Sequence, residues 1–385
     1  MSFVDYGYVS LNKKREELCG DRVEHTCSDG VHTFVLADGL GSGVKANILA
    51  TLTSKILCTM AAAHIPISEC IDTIIDSLPV CKVRGVAYAT FTVISVNERG
   101  EGYLFEYDNP PAVYIRDGEL LELERNERIY GGKKVYFSPI SMKEGDQIIT
   151  TSDGVVHAGI GMSLNFGWDI AEIREFNQIH YTKDTAAMTA ASILANACYS
   201  LYGKQCGDDT TVLCVKLMPE RALNLMIGPP VDPARDEAVV GEFLAHAGKH
   251  AVCGGTSSQV VARVMKKELT SSFEFPDRDV PPIGYIDGID LVCEGVLTLK
   301  KALFYAEQYL NPAYPEIKQF HGKDGASLLA DLLLCKSGSV NIFVGRNVNL
   351  AHEGLGIDNK SKLDIVVKLL GILKALGKKV EIKYY

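Results

Sequence analysis

A chain of 385 residues is too long for one ordinary hydrophobic core, so two or three domains are expected. Its 47% hydrophobic and 23% charged residues are those of a globular protein, and a formal net charge of −9 argues against a nucleic-acid binder, which needs clustered Lys and Arg. No apolar run approaches the ~20 residues that cross a bilayer, and MSFVDYGYVS at the N-terminus lacks the basic flank and apolar stretch of an export signal, so a cytoplasmic protein away from membranes is expected.

In chain order, the first ~215 residues are strand-rich by periodicity. YGYVSLN, DRVEHTC and VHTFVLA are short β-type runs, followed by helical patterns at about 42–63 and 68–77. YATFTVISV and EGYLFEY, separated by NERG, form a hairpin, and PAVYIRDGELLEL forms another with Asp-Gly at its turn. QIITTSD is a strand, 184–202 an Ala-rich helix, and TTVLCVKL a closing strand. This order predicts an α+β fold with two sheets inside.

After Pro219 strands and helices alternate. ALNLMIG, KHAVC, IDLVCEG, SVNIFVG and VEIKYY are strands. PARDEAVVGEFLAHAG, TSSQVVARVMKKEL, LTLKKALFYAEQYL and KSKLDIVVKLLGILKALG are helices. Repeated βα units predict a mostly parallel, doubly wound, Rossmann-like α/β domain. The expected domains are 1–218 and 222–385. Eleven cysteines are scattered with no C-x-x-C pair, and nine histidines show no paired spacing. The cysteines read as small buried hydrophobes, and no zinc site is expected.

Four Asp-containing turns in the first part share a logic. Asp21 stands at a strand start in CGDRVEH and Asp38 at a strand end in LADGLGSG. Asp153 ends a strand in IITTSDGVV, and Asp208 and Asp209 open the last one in CGDDTTVLCV. Carboxylates at strand ends, two of them beside Gly, suit hard divalent cations such as Mg²⁺ or Mn²⁺. Taken singly, each reads first as an ordinary turn, as Asp29-Gly30 and Asp117-Gly118 are read to be.

The ordered set resembles the metal-dependent serine/threonine protein phosphatases (PPM or 2C type), in the bacterial branch typified by stage II sporulation protein E. Cys19-Gly20-Asp21 matches that branch's Gly-Asp before a strand, and Asp38 through Ala46 matches its D-G-x-G-x-G-x-x-A turn. NPPAVYIRDG loosely matches a small-Pro hairpin; Ser152-Asp153-Gly154 matches S-D-G, and Asp208-Asp209-Thr210-Thr211 matches D-D-x-T. The resemblance spans nearly all of 1–217 and implies an αββα sandwich with a binuclear Mn²⁺ or Mg²⁺ centre. It implies that Asp38 bridges both ions, that the Gly39 carbonyl completes one, and that Asp153 and Asp208 hold the second. Asp21 would hold a metal-bound water or ligate weakly, while Asp209 and Thr211 would orient Asp208 and its strand. Metal-bound hydroxide would attack phosphorus with no phospho-enzyme.

Eukaryotic relatives clamp substrate phosphate with an arginine before the first Asp. Among Lys13, Lys14, Arg15 and Arg22 none is a convincing match, and the KKRE run reads as a solvated hairpin. The branch often has Glu or another polar residue where this chain has His157, on a flap at 156–168; this histidine is read as a surface residue, with a general-acid role as the lesser alternative. The resemblance also implies regulated activity, through movement of the helices at 42–77.

In the second domain CGGTSSQVVARV places Gly254, Gly255, Thr256 and Ser257 at a helix start, where backbone N–H groups attract anions. A ligand role there stands beside an ordinary N-cap. Asp287, Asp290 and Glu294 lie near strand ends, and 253–258 and 294–298 are expected to line one pocket for a small ligand or partner.

The favoured function is therefore a phosphoserine/phosphothreonine protein phosphatase acting on a phosphoprotein of the anti-sigma-factor-antagonist type and regulated by its C-terminal domain; a homodimer is left open. The alternatives are a non-catalytic or partner-activated signalling module on a phosphatase fold, and a C-terminal domain that is the main enzyme.

Overall fold

The computed structural model describes residues 2–77, 89–311, 313, 320, 322–346 and 359–385. It divides into two compact units, and the chain passes from one to the other between Pro219 and Glu220.

The first unit begins with strands β1 (Ser2–Leu11), β2 (Asp21–Ser28) and β3 (Val31–Gly39), then helices α1 (Gly43–Ala62) and α2 (Ile67–Ser77). Seven strands follow: β4 (Ala89–Asn97), β5 (Glu101–Tyr107), β6 (Val113–Arg116), β7 (Glu119–Leu121), β8 (Asn126–Tyr130), β9 (Lys133–Ser141) and β10 (Gln147–Thr151). Helices α3 (Ile170–His180) and α4 (Ala187–Leu201) precede the closing strand β11 (Thr210–Pro219). One antiparallel sheet runs β1-β11-β10-β6-β7 and the other β2-β3-β4-β5-β9-β8.

β3 shows why these layers form. Side chains alternate across a strand, and VHTFVLA is apolar on both sides. Phe34 and Leu36 join Val4, Ile94, Ile148 and Leu213 in a core between the two sheets. Val35 and Ala37 face the other way, into a second core with Ala50, Leu57 and Ile71 of α1 and α2. α4 packs on β1 and β11 outside the other sheet. The order of layers is helix, sheet, sheet, helix. Asp29-Gly30 and Asp117-Gly118 are tight hairpin turns with positive φ at both residues.

In the first unit three elements depart from the sequence reading. β8 is almost wholly exposed, so NERIY carries no alternation, and β9 includes Pro139. α3, IAEIREFNQIH, buries only Ile173 and Asn177, too narrow a stripe to stand out.

The second unit contains β12 (Ala222–Ile227), α5 (Asp236–Ala245), β13 (Lys249–Cys253), α6 (Gly255–Met265), β14 (Thr270–Ser271), β15 (Gly284–Tyr285) and β16 (Leu291–Cys293). It continues with α7 (Val296–Leu310), α8 (Gly325–Ala330), β17 (Ser339–Val344), α9 (Asn359–Ala375) and β18 (Lys379–Tyr384). Its sheet runs β14-β15-β16-β13-β12-β17-β18; the five strands from β16 to β18 are parallel, and β14 and β15 form an antiparallel edge. Among the described residues no helix is long and apolar enough to cross a membrane, and every described cysteine is a free thiol.

Candidate metal centre

Asp21 opens β2 and stands opposite Asp38 across the β2–β3 ladder. β10 leads through Ser152 into a 3₁₀ turn at Asp153–Val155, and Asp208 and Asp209 lie just before β11, its ladder partner. The two sheets are tied at this end by Ser152. Its Oγ donates to Asp21 Oδ2 at 2.7 Å and accepts from the Thr211 N–H at 2.9 Å. The Asp38 carboxyl lies close enough to Asp21, Asp153 and Asp208 to feel the charge of each. Four acidic residues separated by up to 187 positions thus meet at one place.

Their electrostatics are strained. Burial, then the charges of Asp21, Asp153 and Asp208, pushes the Asp38 carboxyl up to about 10. Burial raises Asp21 to about 7, against the hydrogen bond from Ser152. Asp153 and Asp209 are also raised, chiefly by burial, with His157 partly offsetting the shift at Asp153. So many carboxylates cannot all ionise together unless positive charge enters. The donors fit a hard divalent cation: they are oxygen-rich, and Asp21 Oδ1 is buried with no hydrogen-bond partner.

Glycine is required beside two of the acids by close approach. A Cβ on Gly154 would lie 2.0 Å from the Asp209 carbonyl oxygen, and one on Gly39 would lie 2.1 Å from that of Ala46. Gly154 lets the Asp153 turn close onto the Asp208 loop, and Gly39 lets the end of β3 lie against α1.

Two nitrogen-bearing side chains, Lys13 and His157, border the cluster. The Lys13 N–H donates to Asp209 Oδ1 at 3.0 Å, and Lys13 Nζ donates to Asp208 Oδ1 at 3.2 Å. The KKRE run is therefore not simply a solvated hairpin: Lys14 N–H to Cys206 carbonyl, at 2.8 Å, zips it to the Asp208 loop. Nothing local in the sequence signals this contact across 195 residues. His157 Nδ1 lies 3.9 Å from both Asp153 Oδ2 and Asp208 Oδ2. The flap it begins is closed by the Trp168 N–H on the Val156 carbonyl at 2.7 Å. Thr211 Oγ1 bonds to Ser10 Oγ at 2.9 Å, fixing the start of β11 against β1.

In the second unit Gly254 precedes α6, with Gly255, Thr256 and Ser257 in its first turn. The structure brings 253–258 and 294–298 together: the Gly254 N–H donates to the Cys293 carbonyl at 2.8 Å, and Cys253 Sγ to that of Glu294 at 3.0 Å. Ser257 Oγ is buried without a partner, but the Glu294 carboxylate already lies beside Gly255. Asp287 pairs with Lys267, and Asp290 accepts from the His250 N–H. None of these residues belongs to the acidic cluster of the first unit.

Two face-to-face antiparallel sheets, with helices outside them and acidic turns at their shared end, make up the first unit. Residues 28–218 match the family model for stage II sporulation protein E (SpoIIE). The match includes Asp38, Asp153 and Asp208 and begins after Lys13 and Asp21. Among solved structures, the phosphatase domain and regulatory-domain fragment of SpoIIE from Bacillus subtilis is 19% identical, over 56% of this chain and 63% of that one, with a TM-score of 0.49. The RsbU and RsbW domains of a Mycobacterium tuberculosis protein are 18% identical over 63% and 68%, with a TM-score of 0.45. The 2C-type domain of SiaA from Pseudomonas aeruginosa is 17% identical over 54% and 85%, with a TM-score of 0.43. No curated protein matches the chain in sequence.

Proposed function

We propose that the first unit hydrolyses phosphoserine or phosphothreonine in a protein substrate at a centre of two Mn²⁺ or Mg²⁺ ions. The observation that carries this reading is the convergence of Asp21, Asp38, Asp153 and Asp208 from two sheets, with the carboxyl groups of Asp21, Asp38 and Asp153 raised by burial and by neighbouring carboxylates. Asp38, at the middle of the cluster, would be shared between the ions, with the Gly39 carbonyl beside it. Asp153 and Asp208 would hold the second ion, and Asp21 would act from the buried side. Bound divalent ions supply charge that offsets the phosphate and activates water, which so slow a hydrolysis demands. Asp209 holds the Lys13 backbone, and Ser152 fixes Asp21 and the start of β11.

The second unit is read as a Rossmann-like regulatory domain, on its parallel strands in the order third, second, first, fourth, fifth. A ligand near Gly254, Gly255, Thr256 and Ser257 or a docked partner would act through it. The substrate class, an anti-sigma-factor antagonist, rests on family resemblance. A non-catalytic module would be favoured by loss of one of the acids, and all four are in place.

The test is p-nitrophenyl phosphate hydrolysis with Mn²⁺ by wild type, Asp38→Asn and Asp153→Asn. Metal-stimulated turnover abolished in both variants supports the reading. No stimulation, or variants equal to wild type, defeats it.

A further inference from the structure

We propose that His157 is a direct ligand of the cation held by Asp153 and Asp208. That half of the centre is then a two-carboxylate, one-imidazole site. The inference rests on the metal-dependent reading above and adds a donor to it.

The geometry comes from a single turn. The His157 N–H donates to the Asp153 carbonyl at 3.0 Å, so the two side chains stand four residues apart on one face. Across from them, Asp208 uses its two oxygens differently. Oδ1 accepts from Lys13 Nζ at 3.2 Å, while Oδ2 lies 3.9 Å from His157 Nδ1. Asp153 Oδ2 is also 3.9 Å from that nitrogen, and one donor atom from each of the three residues falls within 4.8 Å of the others. Donors around a first-row divalent ion stand about 3–3.5 Å apart, so side-chain movements of about 1 Å would close the site. Among the described residues no hydrogen bond engages either ring nitrogen of His157, so Nδ1 is available.

A second observation points to a cation in the acidic cluster to which Asp153 and Asp208 belong. Asp21, only 3% exposed, keeps Oδ1 without a partner and feels the charge of Asp153. A buried carboxylate oxygen is left bare only at considerable expense in free energy, unless a cation completes it.

An imidazole donor shifts preference from Mg²⁺, which favours oxygen and keeps its water, toward Mn²⁺ and its softer neighbours. A general acid, by contrast, would leave its nitrogen uncoordinated.

The experiment is Mn²⁺ titration of the full chain, read by calorimetry and by pulsed paramagnetic resonance for ¹⁴N coupling to bound Mn²⁺. His157→Ala and His157→Gln are run in parallel. The expected result is nitrogen coupling in wild type that vanishes in both variants, with Mn²⁺ affinity reduced about ten- to a hundredfold, no less than loss of an outer partner causes. If Mn²⁺ binds without nitrogen coupling, or if both variants keep the coupling and the affinity, His157 is not a ligand although the metal centre stands. If wild type binds no Mn²⁺, the centre and this proposal fall together.

Discussion

Asp38→Asn should stabilise the metal-free protein while removing its response to metal. With its carboxyl raised to about 10, Asp38 carries a proton at neutral pH that the unfolded chain releases near its ordinary value of about 3.9. Holding that proton at pH 7.5 costs up to about 5 kcal/mol at 1.36 kcal/mol per pH unit. Structural relaxation and water entry reduce this to about 2 kcal/mol. Asparagine is neutral without that cost. The variant in chelator should therefore melt about 4–8 °C above wild type. The sign with pH follows from a raised folded pKa: the cost is absent below about pH 4 and grows as pH rises toward 10. The gap between variant and wild type should thus widen from pH 5 to pH 8. Saturating Mn²⁺ should raise the wild-type melting temperature and leave the variant unmoved. A variant less stable than wild type in chelator at every pH, or one with a full Mn²⁺ shift, would refute this reasoning.

Gly154→Ala places a Cβ 2.0 Å from the Asp209 carbonyl and 2.5 Å from Thr210 Oγ1. It should separate the Asp153 turn from the Asp208 loop, lowering stability by about 2–4 kcal/mol in denaturant titrations and weakening Mn²⁺ binding in calorimetry. Lys13→Met removes a cation from Asp208. Its part-exposed ion pair contributes under ~1 kcal/mol to stability, whereas loss of repulsion on an incoming ion should tighten Mn²⁺ by about tenfold in calorimetry. His25 is lowered to about 3 by burial and by His32, so it stays neutral in the fold while the unfolded chain takes a proton below about 6.5. Stability is lost as pH falls through that window, and His25→Phe, which keeps the stack on Phe34, should flatten the loss between pH 6.5 and 4 in denaturant titrations.

What was legible in the sequence was what is local. The Asp-Gly turns at Asp38 and Asp153 sit beside apolar strands whose period is visible in a few residues. β3 is apolar on both faces because both are covered, and that too can be read from VHTFVLA. β8 and α3 could not be found this way, since each buries almost nothing. The contact of Lys13 with Asp208 depends on the β1–β11 pairing, and Ser152 reaches Asp21 from the opposite sheet. No window of sequence contains such pairs. His157 shows the same limit: its spacing from Asp153 is local, but its second acidic neighbour, Asp208, comes from the loop before β11. In the second unit the βα rhythm was plain because each helix buries a stripe. The carboxylate of Glu294 beside Gly255 was not, because the turns that carry them meet only in the sheet.

The most direct test of the account is phosphate release from phosphoserine and phosphothreonine proteins by the full chain, with Mn²⁺ and with chelator. The account predicts release that requires Mn²⁺ and is lost in Asp153→Asn. Release that persists in chelator, or none in wild type across a broad phosphoprotein panel under conditions where calorimetry shows bound Mn²⁺, would contradict it.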